Sequence, residues 1–120
     1  MNQTPDLVVR RLAATDVDLV AHLEHLERAA AVAFRGGDVL LAETPAVVDW
    51  TTRVDDLDHP VWVATVDGVA VGFLAADLGR GVLTVRQVFV HAEARELGLG
   101  DDLLAAAIDA ARSWGCHRLD

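Results

Sequence analysis

Residues 87–104, QVFVHAEARELGLGDDLL, constrain this chain more than any other stretch. An apolar run of strand character passes through Arg95-Glu96-Leu97-Gly98-Leu99-Gly100 into a long Ala/Leu-rich segment, which reads as a helix opening at the second glycine. A strand, a glycine loop and a helix N-terminus in that order turn backbone N–H groups toward one point. The helix dipole favours an anion there. The expectation is a diphosphate cradle.

The rest of the pattern says what surrounds that cradle. Residues 7–12 read as a short strand, and Thr15 with Asp18 as the start of a helix whose apolar positions Leu19, Leu23, Leu26, Ala30 and Ala33 recur at helical spacing as far as Phe34. Arg35-Gly36-Gly37-Asp38 stops it. Thr44-Pro45 suits a second helix start, with Val48, Thr52 and Val54 leading to a break at Asp58-His59-Pro60. The period then becomes strand-like. Residues 61–66 and 69–75 flank Asp67-Gly68, a hairpin pair, and a turn at Leu78-Gly79-Arg80-Gly81 leads into a third strand at 82–90. The final helix spans about 100–114 with Gly115 as its C-cap, and residues 116–120 read as the first step of another strand. This order predicts one α+β domain over residues 1–120, a mixed, mainly antiparallel sheet flanked by helices in three layers.

Composition excludes several classes of function. A formal charge of −9 argues against nucleic acid or an anionic membrane as partner, and it suits a cationic acceptor or plain solubility. All ten positive side chains are arginines, and the lone Cys116 rules out an internal disulfide or a cysteine-rich zinc site. His22 and His25 sit three apart on the first helix but lack Asp or Cys ligands in pattern, so no metal is expected. No segment has signal-peptide character or the length to span a bilayer, so a cytoplasmic protein is expected.

Rival phosphate motifs fit poorly. A dinucleotide-binding G-x-G-x-x-G needs Gly or Ala at position 103, where Leu103 stands, and a nucleoside-triphosphate loop needs a lysine that the chain lacks. By contrast V-F-V-H-A-x-x-R-x-x-G-x-G-x-x-L-L, residues 88–104, resembles the signature segment of the GNAT superfamily of acetyl-CoA-dependent N-acetyltransferases. The Arg-Arg-Leu ending of the first strand, the Val-Trp-Val-Ala hairpin and the Gly72-Phe73-Leu74 strand fall in that family's order.

The resemblance implies a GNAT-like fold and transfer of an acetyl group from acetyl-CoA to a primary amine. It implies that backbone groups of Val88, Phe89 and Val90 hold the pantetheine arm and acetyl carbonyl. Arg95, Glu96, Leu97, Gly98, Leu99, Gly100 and Asp101 would wrap the diphosphate. The acceptor would be a small-molecule or protein amine. Two departures from the family's pattern stand out: Ala92 replaces a usual proline, and Glu96 and Leu97 stand where small or basic residues are usual. Asp101 and Asp102 then stabilise the helix start by about 0.3–1 kcal/mol each while repelling a diphosphate.

Acid–base groups are sparse. The fourth strand carries no carboxylate, and the chain contains no tyrosine to serve as the family's usual acid. Asp77, Glu43 and Asp49 are candidates to reach the cleft, and His91 is the histidine nearest it. Cys116 reads as core. The family's closing strands would lie beyond residue 120, so a homodimer or partner chain completing the sheet is expected. The alternative to an active transferase is an impaired acyl-CoA-binding or assembly module of the same fold.

Overall fold

Five strands pair side by side in chain order: β1 (Leu7–Arg11), β2 (Val61–Val66), β3 (Val69–Gly79), β4 (Val82–Val90) and β5 (Arg118–Leu119). The first three pairings are antiparallel and β4–β5 is parallel. Two helices, α1 (Val17–Val32) and α2 (Leu99–Ser113), cover opposite faces of this sheet. The computed structural model describes residues 4–32 and 45–120; the expectations placed on Ala33, Phe34, Arg35-Gly36-Gly37-Asp38, Glu43 and Thr44 lie outside these.

Alternation along the strands builds both cores. Val61, Val63 and Phe73 face α1, whereas Trp62, Ala64, Leu74 and Leu83 face α2. Phe73, Leu74, Leu83, Leu99 and Leu103 are fully buried, each contributing about 1.5–3 kcal/mol of transfer free energy. Asp67-Gly68 forms the expected hairpin turn with both residues at positive φ. The next turn is tighter than the sequence suggested. β3 continues to Gly79, and Arg80-Gly81 alone reverse the chain, again with both φ values positive.

Two expectations are corrected. Thr15 does not cap α1. It lies inside a short 3-10 turn (Ala14–Asp16) that precedes the helix proper, and the buried Asp16 carboxylate closes that turn by accepting the Ala13 N–H at 2.8 Å and the Arg10 guanidinium at 2.6 and 2.8 Å. Arg10 holds the Asp16 carboxyl below the usual carboxylate range. The second helix start at Thr44-Pro45 leads to no helix among residues 45–49. Asp49 accepts the Thr51 N–H and hydroxyl, at 3.0 and 2.6 Å, and these local bonds stop the chain at one 3-10 turn, Trp50–Arg53. That turn drives Trp50 into the α1 face, edge-on to Phe73 at 5.3 Å.

The buried stripe of α1 also differs from its apolar period. Leu19 is 41% exposed, while Val20, Leu23 and the carboxylate of Glu24 face the sheet. At the other end of the chain, Gly115 (φ +70) closes α2 with paired bonds from Gly115 N–H to the Arg112 carbonyl and from Cys116 N–H to the Ala111 carbonyl. Cys116 packs against the α2-side core, as its reading as core predicts. No described helix is long and apolar enough to cross a membrane.

Candidate functional site

β5 covers little of β4. It pairs with Val82 and Leu83, and the last bond between them runs from the Val85 N–H to the Asp120 carbonyl. Beyond Val85 the outer edge of β4 faces no strand among the described residues. The register says which groups line that edge. His91 donates its N–H to the Val71 carbonyl at 2.7 Å, and Phe89 stands opposite Phe73. Alternation in an antiparallel ladder therefore points the Phe89 backbone at β3 and turns the N–H and C=O groups of Val88 and Val90 outward. The close approach of β3 agrees: a Cβ on Gly72 would lie 2.9 Å from the Phe89 oxygen.

The glycine loop begins one residue after β4. Ala92–Leu97 form a 3-10 turn, Gly98 adopts φ +74, and α2 opens at Leu99, whose fully buried side chain pins the loop to the sheet. The first N–H groups of α2 have no acceptor within the helix. A Cβ at Gly100 would meet nothing within 4 Å, so the backbone there stands open to a ligand. Residues 95–97, expected as loop, are thus wound into the turn, and Arg95 folds back. Its Nε donates to the Val90 carbonyl at 3.2 Å, and its guanidinium lies 6.0 Å from the Phe89 ring. Glu93, Glu96, Asp101 and Asp102 leave this corner rich in carboxylates.

His91 has a structural task. Its Nδ1 accepts the Glu93 N–H at 3.2 Å and caps the 3-10 turn. Asp49 is likewise a cap, on the exposed side of its own turn. His22 and His25 are exposed, and no group of metal-ligating side chains occurs among the described residues.

On the α1 side of β4 the polar groups gather at a bulge. The β3–β4 register shifts between Ala75 and Ala76, which inserts Arg86 as an extra residue and aims both Arg86 and Gln87 at the α1 face. Gln87 is buried and donates to Glu24 Oε2 at 2.9 Å. The same carboxylate accepts the Trp50 indole N–H at 3.3 Å and the Val47 N–H at 3.2 Å. Neither Glu24 nor this network emerges from apolar periodicity. The available signal was two polar residues, Glu24 and Gln87, at inward-facing positions of two different elements. Above them a cleft of about 300 Å³ is lined by Val47, Arg53, Val61, Asp77, Arg86 and Gln87 among others. Asp77 lies in that lining, bound by Arg86 Nε at 2.7 Å and with His59 Nε2 at 3.9 Å.

One turn beyond Glu24, Glu27 has a buried Oε2 without a hydrogen-bond partner. Burial first, and the neighbouring Glu24 charge second, raise its carboxyl to about 7. The unfolded carboxyl titrates near 4.5. Its stabilising share is therefore fully present below pH 4.5 and is lost as pH rises through about 7. Glu27→Gln is expected to be more stable than the parent at pH 8 by about 1 kcal/mol, the full shift being discounted because solvent screens this half-buried side chain, with the gap closing toward pH 5. Urea unfolding of both proteins across that range checks this; a constant difference would mean the oxygen is solvated.

Comparison with known proteins places the fold. The acetyltransferase (GNAT) family profile matches residues 21–120. A search of curated proteins finds no match. Among solved structures, an aminoglycoside N-acetyltransferase, AAC(6')-Iy in complex with CoA, superposes with TM-score 0.72 at 20% identity, over 99% of this chain and 78% of that one. A ribosomal-protein-alanine N-acetyltransferase from Brucella melitensis gives TM-score 0.67 at 23% identity, over 94% of this chain and 77% of its own. N-acetylglutamate synthase from Neisseria gonorrhoeae, complexed with coenzyme A and N-acetyl-glutamate, gives 0.70 at 21% identity, over 98% of this chain and 25% of that one. With the family profile spanning most of its length, and a five-stranded mixed sheet between two helices, this chain belongs to the GNAT acetyltransferase family and is an N-acetyltransferase by class.

Proposed function

We propose that the domain moves an acetyl group from acetyl-CoA to a primary amine, of a small molecule or a protein, by direct attack of the amine. One observation carries the reading: the outward backbone groups of Val88 and Val90 lead along a single edge to the open N-terminus of α2. An extended pantetheine would add its amides to the first, and a diphosphate would meet the N–H groups of Gly98, Leu99, Gly100 and Asp101 at the second. As the amine nitrogen bonds to the acetyl carbon and the C–S bond breaks, negative charge collects on the carbonyl oxygen. A fixed N–H from Val88 suits that charge, a role commonly worth about 3–4 kcal/mol. Asp77 lines the adjoining cleft and would take the amine's proton through water. Glu43 lies outside the described residues, and His91 is occupied as a cap.

The second reading, an impaired acyl-CoA-binding module, draws on the acidic corner around Arg95, where four carboxylates oppose a diphosphate. A second copy or partner chain has a place in either case, over Leu104, Ile108 and Trp114, which α2 and its C-cap leave exposed. Calorimetric titration with acetyl-CoA and CoA, followed by thiol release across a panel of amines, separates the readings. Micromolar binding with amine-dependent thiol release is expected. Absence of heat at millimolar ligand would defeat both, and binding without turnover would leave the module.

A further inference from the structure

The cleft beside Gln87 has a charge pattern opposite to that of the protein around it. The chain carries −9 overall, yet among the described residues the charged side chains lining this cleft are Arg53, Arg86 and Asp77. Asp77 is already offset. Arg86 Nε binds one of its oxygens at 2.7 Å and His59 Nε2 stands 3.9 Å from the other. Arg86 spends its Nε on that pair, and its terminal nitrogens make no hydrogen bond among the described residues. The Arg53 side chain has no ion-pair or hydrogen-bond partner among the described residues, although the residue is partly buried at the end of its 3-10 turn. Glu24 lies beneath the floor with its oxygens engaged by Gln87, Trp50 and Val47. Among the described side chains that line the cleft the surplus is therefore one guanidinium, flanked by the free fork of a second, with the Glu24 carboxylate held by uncharged donors below them.

The position of the cleft relates it to the transfer site. Gln87, in its wall, immediately precedes Val88, whose outward N–H faces the edge proposed for the acyl donor. The remaining described walls, Pro45, Val47, Val61, Ala75 and Ala76, are apolar and small. A volume of about 300 Å³ is at the lower end of the range for small-ligand pockets. Such a space admits one compact molecule, not a long polycation. With one guanidinium in surplus and Asp77 already bound by Arg86, the cleft offers an acceptor carrying several ammonium groups no free carboxylate to pair with. The two guanidiniums match the planar oxygens of a carboxylate in paired hydrogen bonds.

Resting on the N-acetyltransferase reading, we infer that the acceptor is a small amine carrying a carboxylate, of the amino-acid or short-peptide type, and that Arg53, with Arg86, selects it by that carboxylate. This replaces the cationic acceptor that overall charge alone would favour. The amine end then points past Gln87 toward Val88, while the carboxylate stays at the Arg53 mouth. Arg53 is a specificity-determining residue in this scheme and takes no part in bond making.

The test uses ligands that report on the cleft with and without turnover. The protein is titrated with CoA, then with CoA joined through an S-acetyl link to the nitrogen of alanine, and with the matching alaninamide adduct. In parallel, N-acetylalanine and N-acetylalaninamide are titrated into labelled protein while amide shifts at Ala75, Ala76 and Gln87 are followed. The alanine adduct is expected to bind at least about tenfold more tightly than the alaninamide adduct, charge-assisted pairs being roughly twice as strong as neutral ones. Arg53→Gln should erase that preference while leaving plain CoA affinity unchanged, and Arg53→Lys should keep part of it. Equal binding of acid and amide, or equal weakening of both by Arg53→Gln, overturns the inference. Failure of plain CoA to bind defeats the transferase reading instead, and the shift titration still decides whether the cleft prefers a carboxylate.

Discussion

Replacing Glu24 with alanine is expected to destabilise the fold by about 2–4 kcal/mol, enough to lower the melting temperature by roughly 10 °C for a domain of this size. Three donors converge on this carboxylate: Gln87 Nε2 at 2.9 Å, Val47 N–H at 3.2 Å and Trp50 Nε1 at 3.3 Å. Truncation leaves all three facing an apolar gap, and an unmade buried bond costs more than a made one stabilises. The three donors come from separate elements, so the loss also loosens the segment from Val47 to Trp50 against β4. Glu24→Gln keeps one acceptor oxygen and is expected to cost less than half as much. Coupling offers a stricter check. In Glu24→Leu with Gln87→Leu, the double variant should be more stable than the sum of the single losses predicts, because the stranded amide is gone while the Trp50 N–H remains unpaired. Additive losses in urea unfolding would mean that Glu24 acts through its volume and not through Gln87.

This network explains why the sequence revealed the frame of the molecule better than its centre. Period-two runs at 61–66, 69–75 and 82–90, with Asp67-Gly68 between two of them, specify a meander through local chemistry alone, and β2 and β4 form within the expected bounds. The C-terminal helix is equally legible, since Leu99, Leu103, Ala107 and Ala111 repeat on one face and Gly115 ends it. α1 was legible as a helix but not in its orientation. A periodicity argument assigns an apolar stripe through Leu19 and Leu23. The true inward face includes Glu24, because donors from residues 47, 50 and 87 make that carboxylate tolerable there. Those donors are 23–63 residues away in sequence. No local window contains them.

At the site the split is similar. The strand–glycine–helix order located the open helix N-terminus, because it depends on φ at Gly98 and on the helix start, both local. The fate of Arg95 depended on folded geometry and not on distance along the chain: it turns back to Val90 and Phe89, five and six residues upstream, only once β4 and the 3-10 turn set them within its reach. The same holds for Asp77. A carboxylate at a strand end reads as a free candidate base, whereas the bulge at Ala75/Ala76 brings Arg86 across to bind it.

Replacing Val88 with proline is expected to lower kcat/KM by about 100- to 1000-fold while the fold loses only about 1 kcal/mol. The two magnitudes separate because of register. Proline removes one N–H, and at position 88 that N–H faces away from β3, on the side where β5 no longer runs alongside. An edge position with its N–H turned outward is where a strand accepts proline, and the preceding Gln87 is already extended as proline requires. The ladder with β3 keeps its bonds, so urea unfolding should change little. What disappears is the donor proposed to meet the carbonyl oxygen as charge develops on it. Phe89→Pro supplies the contrast. That N–H points into the β3 ladder, and its loss is expected to cost about 3 kcal/mol or more of stability. Val88→Ala keeps the N–H and should hold kcat/KM within about tenfold of the parent, well short of the loss of a placed donor. Thiol release measured on all three variants, alongside CoA affinity by calorimetry, distinguishes the cases. If Val88→Pro unfolds as readily as Phe89→Pro, the outward assignment of Val88 is wrong. If it folds, binds CoA and turns over normally, the N–H faces outward but stabilises no charge in the reaction.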